Sequence, residues 1–209
     1  SLLFSREVLS QSAYRNNSEE DQGKQDDSPS SIRNIFQIFN KYIVIEFDED
    51  ILWVVDQHAA AERITFEKLK KKRKGNLELQ KLLVPFEIVM SEVEIVGMEE
   101  LKDFFKGIGF EYEIKDNKVY ISSTPVEFVQ SNFKKLFEEI FSLSDDISNI
   151  SKEILRLEED IYATMACHGS VRSGQSLQRA EMIDMYKNLI NCDNPYSCPH
   201  GRPAVWKMK

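Results

Sequence analysis

The apolar run Ile51-Leu52-Trp53-Val54-Val55 passes without a break into Asp56-Gln57-His58-Ala59-Ala60-Ala61-Glu62-Arg63-Ile64-Thr65-Phe66-Glu67. β-Branched and aromatic residues favour a strand over the first stretch. In the second, Ala59, Ala60, Ile64, Phe66 and, beyond it, Leu69 recur at helical spacing with good helix formers between them. A strand therefore hands the chain to a helix at Asp56, and the acids and the histidine sit at the start of that helix. The chain has 3 histidines and 3 cysteines. All except Cys192 fall in this run or in two later clusters, Cys167-His168 and Cys198-Pro199-His200. Cys192 is assigned to packing.

Upstream, residues 35–47 read as strands that meet the 51–55 strand through the acidic turn Asp48-Glu49-Asp50. They are apolar on both faces, so they require cover from helices or from another subunit. The first 14 residues have enough scattered apolar side chains for a short helix. Residues 15–31 are rich in Asn, Ser, Asp, Glu and Gln and read as a linker, because such a composition cannot offset the entropy of ordering. Ser rather than Met at position 1 fits a piece of a longer chain.

The helix after Asp56 ends in Lys68, Lys70, Lys71, Lys72, Arg73 and Lys74 before Gly75. The basic end complements the helix dipole and the glycine supplies a cap. The run has two readings, a solvated helix end and a DNA-facing patch. Residues 77–85 are extended or loop, with Pro85 discouraging helix at Val84. A β-α-β unit is expected next, with a strand at 86–90, a helix at 93–108 and strands at 110–114 and 118–122 around Asp116-Asn117. Amphipathic helices follow at 126–143 and 150–163. Neither histidine nor cysteine occurs in this middle part. A last helix is expected at 177–190, and Cys198-Pro199-His200-Gly201-Arg202-Pro203 has the prolines and glycine of a loop.

Three cysteines are too few for a disulfide framework, and thiols beside histidines read better as ligands in a reducing compartment. A formal net charge of -8 excludes strong sequence-independent binding of nucleic acid by the whole surface. The apolar runs are too short to span a membrane.

His58 and Glu62 are four apart and share a helix face, while Asp56 sits just before the helix within reach of the same point. One imidazole and two carboxylates make a site for a divalent cation. Cys167, Cys198 and His200 would add thiolate and imidazole, which favours zinc at one position at least. Six donors of mixed softness point to two adjacent metals, an arrangement suited to hydrolysis of a phosphate ester. Glu67 lies about 140° round the helix from Glu62 and is given a supporting role.

Asp56, Gln57, His58, Ala59, Glu62 and Glu67 resemble the endonuclease motif in the C-terminal domain of MutL-type DNA mismatch repair proteins. Ala166-Cys167-His168 with Arg172 and Gly174, and Cys198-Pro199-His200-Gly201-Arg202-Pro203, resemble that family's other two blocks in the same order. The resemblance implies a dimeric domain that nicks duplex DNA. Its metal site would use Asp56, His58, Glu62, Cys167, Cys198 and His200, with zinc in a regulatory or structural role and manganese or magnesium supporting cleavage. Asp56 and Glu62 would be the catalytic acids, and Gln57, Glu67, His168 and Arg202 supporting residues. Arg202 either orients a phosphate or locks the loop by hydrogen bonding. Gln80-Lys81-Leu82-Leu83-Val84-Pro85 resembles the peptide by which bacterial members contact the replicative sliding clamp, with Gln80, Leu83 and Pro85 as its anchors; it otherwise reads as a strand entry.

Two departures from the family stand out. Gln175 occupies a position where an acid is common, and Gln178 one where Ser or Thr caps the next helix. The chain also stops at Lys209, where family members often continue to a tail with Phe-x-Arg.

The expected architecture is α+β (mixed α/β). Residues 32–80 and 149–209 form a discontinuous dimerisation and endonuclease lobe, and residues 81–148 form a smaller, inserted regulatory lobe containing the β-α-β unit. Strands 35–55 are the expected dimer interface. The resemblance implies a cytoplasmic, nucleoid-associated protein with no membrane contact. Its implied partners are a second copy, DNA bound weakly, the clamp, the N-terminal ATPase region of the same protein and a mismatch-recognition protein. The alternative is a zinc-stabilised dimeric scaffold without nuclease activity. A zinc hydrolase of small molecules is a third reading, and it requires an apolar pocket at the metal.

Overall fold

The computed structural model describes residues 31–48, 50–72, 78–169 and 174–209. The expected N-terminal helix and nearly all of the expected linker, together with Arg73, Lys74, the Gly75 cap and Arg172, lie outside those residues. Three strands open the fold, β1 (Ile32–Ile38), β2 (Tyr42–Phe47) and β3 (Leu52–Asp56), and α1 (Gln57–Lys72) follows without a gap. Next come β4 (Leu79–Val89), α2 (Glu92–Glu100), α3 (Lys102–Gly107), β5 (Glu111–Lys115), β6 (Lys118–Pro125) and α4 (Phe133–Phe141). The chain closes with α5 (Ile154–Gly169), α6 (Arg179–Ile190) and β7 (Val205–Met208), and short 3-10 turns at Val126–Phe128 and Ile147–Glu153 precede α4 and α5. Two antiparallel sheets with helices make an α+β fold, as expected.

The first sheet has the order β1-β2-β3-β7. Strand β7 returns from the far end of the sequence to pair with β3, Val205 opposite Val55 and Met208 opposite Leu52. Asp56 N–H donates to Ala204 carbonyl at 2.9 Å and completes the seam. This return strand sets the Cys198 loop beside the start of α1.

Pairing register divides the sheet into two faces. Ile35, Ile45 and Trp53 form one cross-strand row, and Ile43 and Val55 belong to the next row on the same face. They pack with Phe47 against Met182, Tyr186 and Leu189 of α6 and Ala59 and Ala60 of α1 in one core. Phe36, Val44, Val54 and Trp206 form a row on the opposite face. Phe36 and Trp206 are exposed there, at 47% and 39%.

The second sheet has the order β4-β6-β5. Its core is aromatic: Phe105, Phe110, Phe133 and Phe137 meet edge to face with centroids 5.2–6.2 Å apart. Ile88, Ile121, Met98 and Leu157 belong to the same cluster. The core also takes Phe66 and Leu69 of α1 and Ile161, Tyr162, Ala163, Met165 and Ala166 of α5.

Several local expectations change. The single helix expected at 93–108 is two, because Leu101 (φ -95, ψ 10) leaves helical geometry between α2 and α3. The strands of the expected β-α-β unit, β4 and β5, run in the same direction but are not neighbours, since both pair antiparallel with β6, which lies between them. The helix expected from 126 begins at Phe133, where Asn132 accepts from Lys135 N–H at 3.1 Å as its cap. The helix expected at 150–163 runs on to Gly169, which carries Cys167 and His168 on its last turn. Residues 80–85 belong to β4, but the ladder breaks there. Lys81 faces Ser123 and Phe86 faces Ile121, so residues 82–85 bulge out of the sheet.

Candidate metal centre

Asp56 stops β3 and starts α1. Its Oδ1 accepts the backbone N–H groups of His58 and Ala59 at 2.9 and 3.0 Å, an N-cap that satisfies two otherwise unpartnered donors of the first turn. One turn on, Glu62 projects inward with its side chain 1% exposed. His58 Nε2 lies 3.1 Å from Glu62 Oε1, the contact that four-residue spacing on one helix face provides.

The other components come from distant elements. Helix α5 packs along α1 and presents Cys167, whose Sγ donates to Glu62 Oε1 at 3.0 Å. The loop before β7 presents His200, with Nδ1 3.7 Å from Cys167 Sγ. It also presents Arg202, whose Nη2 reaches both Glu62 oxygens at 3.0 Å. The loop itself is a tight turn. Cys198 N–H donates to Arg202 carbonyl at 2.8 Å, Gly201 N–H to Cys198 carbonyl at 3.0 Å, and Gly201 has φ +82, a conformation that glycine adopts without strain.

Electrostatics follow from this packing. Burial pushes the Glu62 carboxyl up, but donation from His58 and Cys167 and the charge of Arg202 outweigh it and hold the group at about 2. Burial and the Glu62 carboxylate push the Cys167 thiol up to about 12. Without a metal, the thiol therefore keeps its proton and gives it to Glu62 as a hydrogen bond.

One ligand atom from each of Glu62, Cys167 and His200 lies within 4.8 Å of the others. Tetrahedral zinc with these donor types spaces them about 3.5 Å apart, so oxygen, sulfur and nitrogen here fit such an ion with small side-chain movements. His58 adjoins this trio through Glu62. Asp56 is not in the trio; its Oδ1 caps the helix. Cys198 is also outside it; the residue is fully buried and its thiol bonds with Arg202.

The supporting residues separate. Gln57 is buried, takes an amide bond from Gln37 Nε2 at 2.5 Å and gives one to Gln175 carbonyl at 3.1 Å. Gln37 also accepts from Leu177 N–H at 3.0 Å, so the two glutamines hold the start of the segment leading to α6. At the N-cap of α6, Gln178 N–H donates to Glu181 at 2.7 Å, which supplies the return bond of a capping box without Ser or Thr. Glu67 turns away from Glu62 and pairs with Arg63 at 3.4 Å. His168 also turns away, and its Nε2 lies 2.8 Å from Glu139 Oε2 of α4.

Two residues at this centre were not singled out from sequence. Arg63 Nε donates to Ser197 carbonyl at 2.7 Å and so holds the loop that carries Cys198 and His200. Its four-residue spacing to Glu67 was the available signal. Glu139 has none, being one acid among several on an amphipathic helix.

Of the basic run, Lys68 and Lys70 pair with Glu127 and Glu159, which offsets charge at that helix end. On β4, Leu83 in the bulge is fully exposed and the Gln80 side chain donates to Lys81 carbonyl at 2.9 Å.

Residues 35–177 match the family model described as the MutL C terminal dimerisation domain. The chain belongs to that family. Similarity to whole MutL proteins agrees with the family match. The chain is 38% identical over 184 residues to the DNA mismatch repair protein MutL of Dictyoglomus thermophilum, covering 86% of this chain and 31% of that protein. To MutL of Clostridium botulinum it is 37% identical over 177 residues, 83% of this chain and 26% of that protein. To MutL of Caldanaerobacter subterraneus it is 37% identical over 183 residues, 86% and 30%. It thus spans under a third of the length of these MutL relatives. The family match ends at Leu177, before the Cys198 loop that closes the donor cluster. No helix among the described residues of this MutL-family chain is long and apolar enough to cross a membrane.

Proposed function

We propose that this domain is a metal-dependent endonuclease that nicks duplex DNA during mismatch repair and acts as a homodimer. The observation that carries the reading is the convergence of Glu62, Cys167 and His200, from three separated parts of the chain, on one point beside the exposed Arg202. Zinc would be held by Glu62, Cys167 and His200. His58, Asp56 and Cys198 would join a second ion, manganese or magnesium, after rearrangement. A bound divalent ion would supply the positive charge that stabilises a phosphoryl oxygen and acidifies water during hydrolysis. Arg202, with its side chain 59% exposed, would meet a phosphate at the rim, while Arg63 holds the loop in register.

The row Phe36, Val44, Val54 and Trp206, exposed at its two ends, supports a dimer formed through the open face of the first sheet. The bulge at residues 82–85, with Leu83 exposed, supports docking of Gln80, Leu83 and Pro85 into a groove of the sliding clamp. The net charge of -8 supports a latent nuclease that DNA binds weakly. The clamp, the N-terminal ATPase region and a mismatch-recognition protein would bring it to the duplex, in the cytoplasm at the nucleoid.

The test is nicking of supercoiled plasmid across a metal panel. Slow Mn²⁺-dependent nicking, lost in Glu62→Ala, is expected; equal nicking by wild type and variant overturns the reading. A second reading is favoured by the way the donors tie α1, α5 and the last loop together: a zinc-stabilised dimeric scaffold. It predicts stoichiometric zinc and unfolding by chelator with no nicking under any activation.

A further inference from the structure

The last turn of α5 faces two ways. Cys167 points to Glu62 and His200, whereas the two residues after it are held by a single segment of the middle of the chain. His168 Nε2 lies 2.8 Å from Glu139 Oε2, with the imidazole 11% exposed. The His168 carbonyl accepts from Ser131 Oγ at 2.9 Å, which satisfies one of the acceptors left open where a helix ends. Gly169 passes so close to Phe128 that an added Cβ would sit 2.9 Å from its ring. Phe128, Ser131 and Glu139 thus fix this turn from outside the donor cluster.

Metal binding makes that fixation matter. Ligand positions must hold to within about 0.5 Å for a productive site. Cys167 sits on a helix terminus, where fraying is easiest, and its neighbour His168 is the nearest side chain with a strong external partner. Glu139 also approaches Lys135 at 3.4 Å, but that lysine is exposed and leaves the imidazole contact as the one reaching α5.

We propose that Glu139, assisted by Ser131, is a positioning residue for the metal centre: through His168 it fixes the turn that aims Cys167 at Glu62 and His200. The inference rests on the metal-centre reading above and extends it to a part of the chain that contributes no ligand. It gives the inserted region a direct mechanical hold on the site.

The experiment uses the 209-residue chain. Co²⁺ titration followed by the thiolate-to-cobalt absorption band, and Zn²⁺ competition against a chromogenic chelator, would be measured for wild type, Glu139→Gln, Ser131→Ala, His168→Gln and the Glu139→Gln/His168→Gln pair. Glu138→Gln, on the exposed side of α4, is the control. Glu139→Gln is expected to weaken metal binding about tenfold, in the range known for residues that orient ligands, with the control unchanged. In the His168→Gln background, Glu139→Gln should add nothing, a result that general destabilisation would not give. Wild-type affinity in Glu139→Gln, or an equal loss in both backgrounds, overturns the inference while leaving the metal centre standing. Absence of the band in wild type overturns the metal-centre reading and the inference with it. If Glu139→Gln does not fold, Ser131→Ala carries the test, with an expected loss of about threefold.

Discussion

Cys167 Sγ donates to Glu62 Oε1 across 3.0 Å, joining residues 105 positions apart in the chain. The carboxylate is the centre of the site because it also meets His58 and Arg202, and each of these favours its charged form.

Acid stability of the metal-free protein follows. The Glu62 carboxyl is held at about 2, below its ordinary 4.5, so the folded state binds its proton less readily than the unfolded state. Its contribution is fully present above about pH 5 and is lost as pH falls toward 2. By pH 3 the loss is on the order of 2 kcal/mol. In excess chelator, the stability gap between wild type and Glu62→Gln should narrow by that amount between pH 7 and pH 3, measured by urea unfolding. A pH-independent gap would sink the assignment.

Asp56 has two separable roles. The cap on His58 and Ala59 needs only a side-chain acceptor, whereas a metal ligand needs a carboxylate. Asp56→Ala should lower stability by about 1 kcal/mol, and Asp56→Asn should leave it nearly unchanged. Nicking should be lost in both. An active Asp56→Asn would make Asp56 a cap alone.

Much of this was legible in sequence, for reasons that differ by residue. The switch of period at Asp56 marks a real strand-to-helix junction because β3 and α1 each follow their own local preference. His58 and Glu62 meet because helical spacing alone brings them together. Strand β7 was not legible: four residues in a Lys- and Met-rich tail become a strand only because β3 offers a free edge. The break at Leu101 is likewise invisible, since apolar spacing continues across it while Gly97 packs against Phe141 and Ile147. Glu139 gains its partner from tertiary packing, and no spacing encodes that.

The bulge on β4 gives a prediction for partner binding. Leu83 is fully exposed, so Leu83→Asp should change stability by less than about 0.5 kcal/mol. If residues 80–85 dock on the sliding clamp, the same variant should lose binding to the purified clamp in surface plasmon resonance. Retained binding would assign the segment to β4 alone.

Arg63 and Glu67 form a pair whose side chains are 9% and 8% exposed, and Arg63 also donates to Ser197 carbonyl at 2.7 Å. Removing one buried charge leaves the other uncompensated, which costs roughly 3–5 kcal/mol, whereas replacing both with apolar side chains of similar volume is far cheaper. Arg63→Met should therefore be strongly destabilising, and Arg63→Met/Glu67→Leu should recover much of the loss in thermal unfolding. Metal affinity should separate from stability, because the double variant still lacks the bond to Ser197 that holds the Cys198 and His200 loop. Recovery of stability without recovery of zinc binding is the expected result; full recovery of both would show that Arg63 serves packing rather than the site.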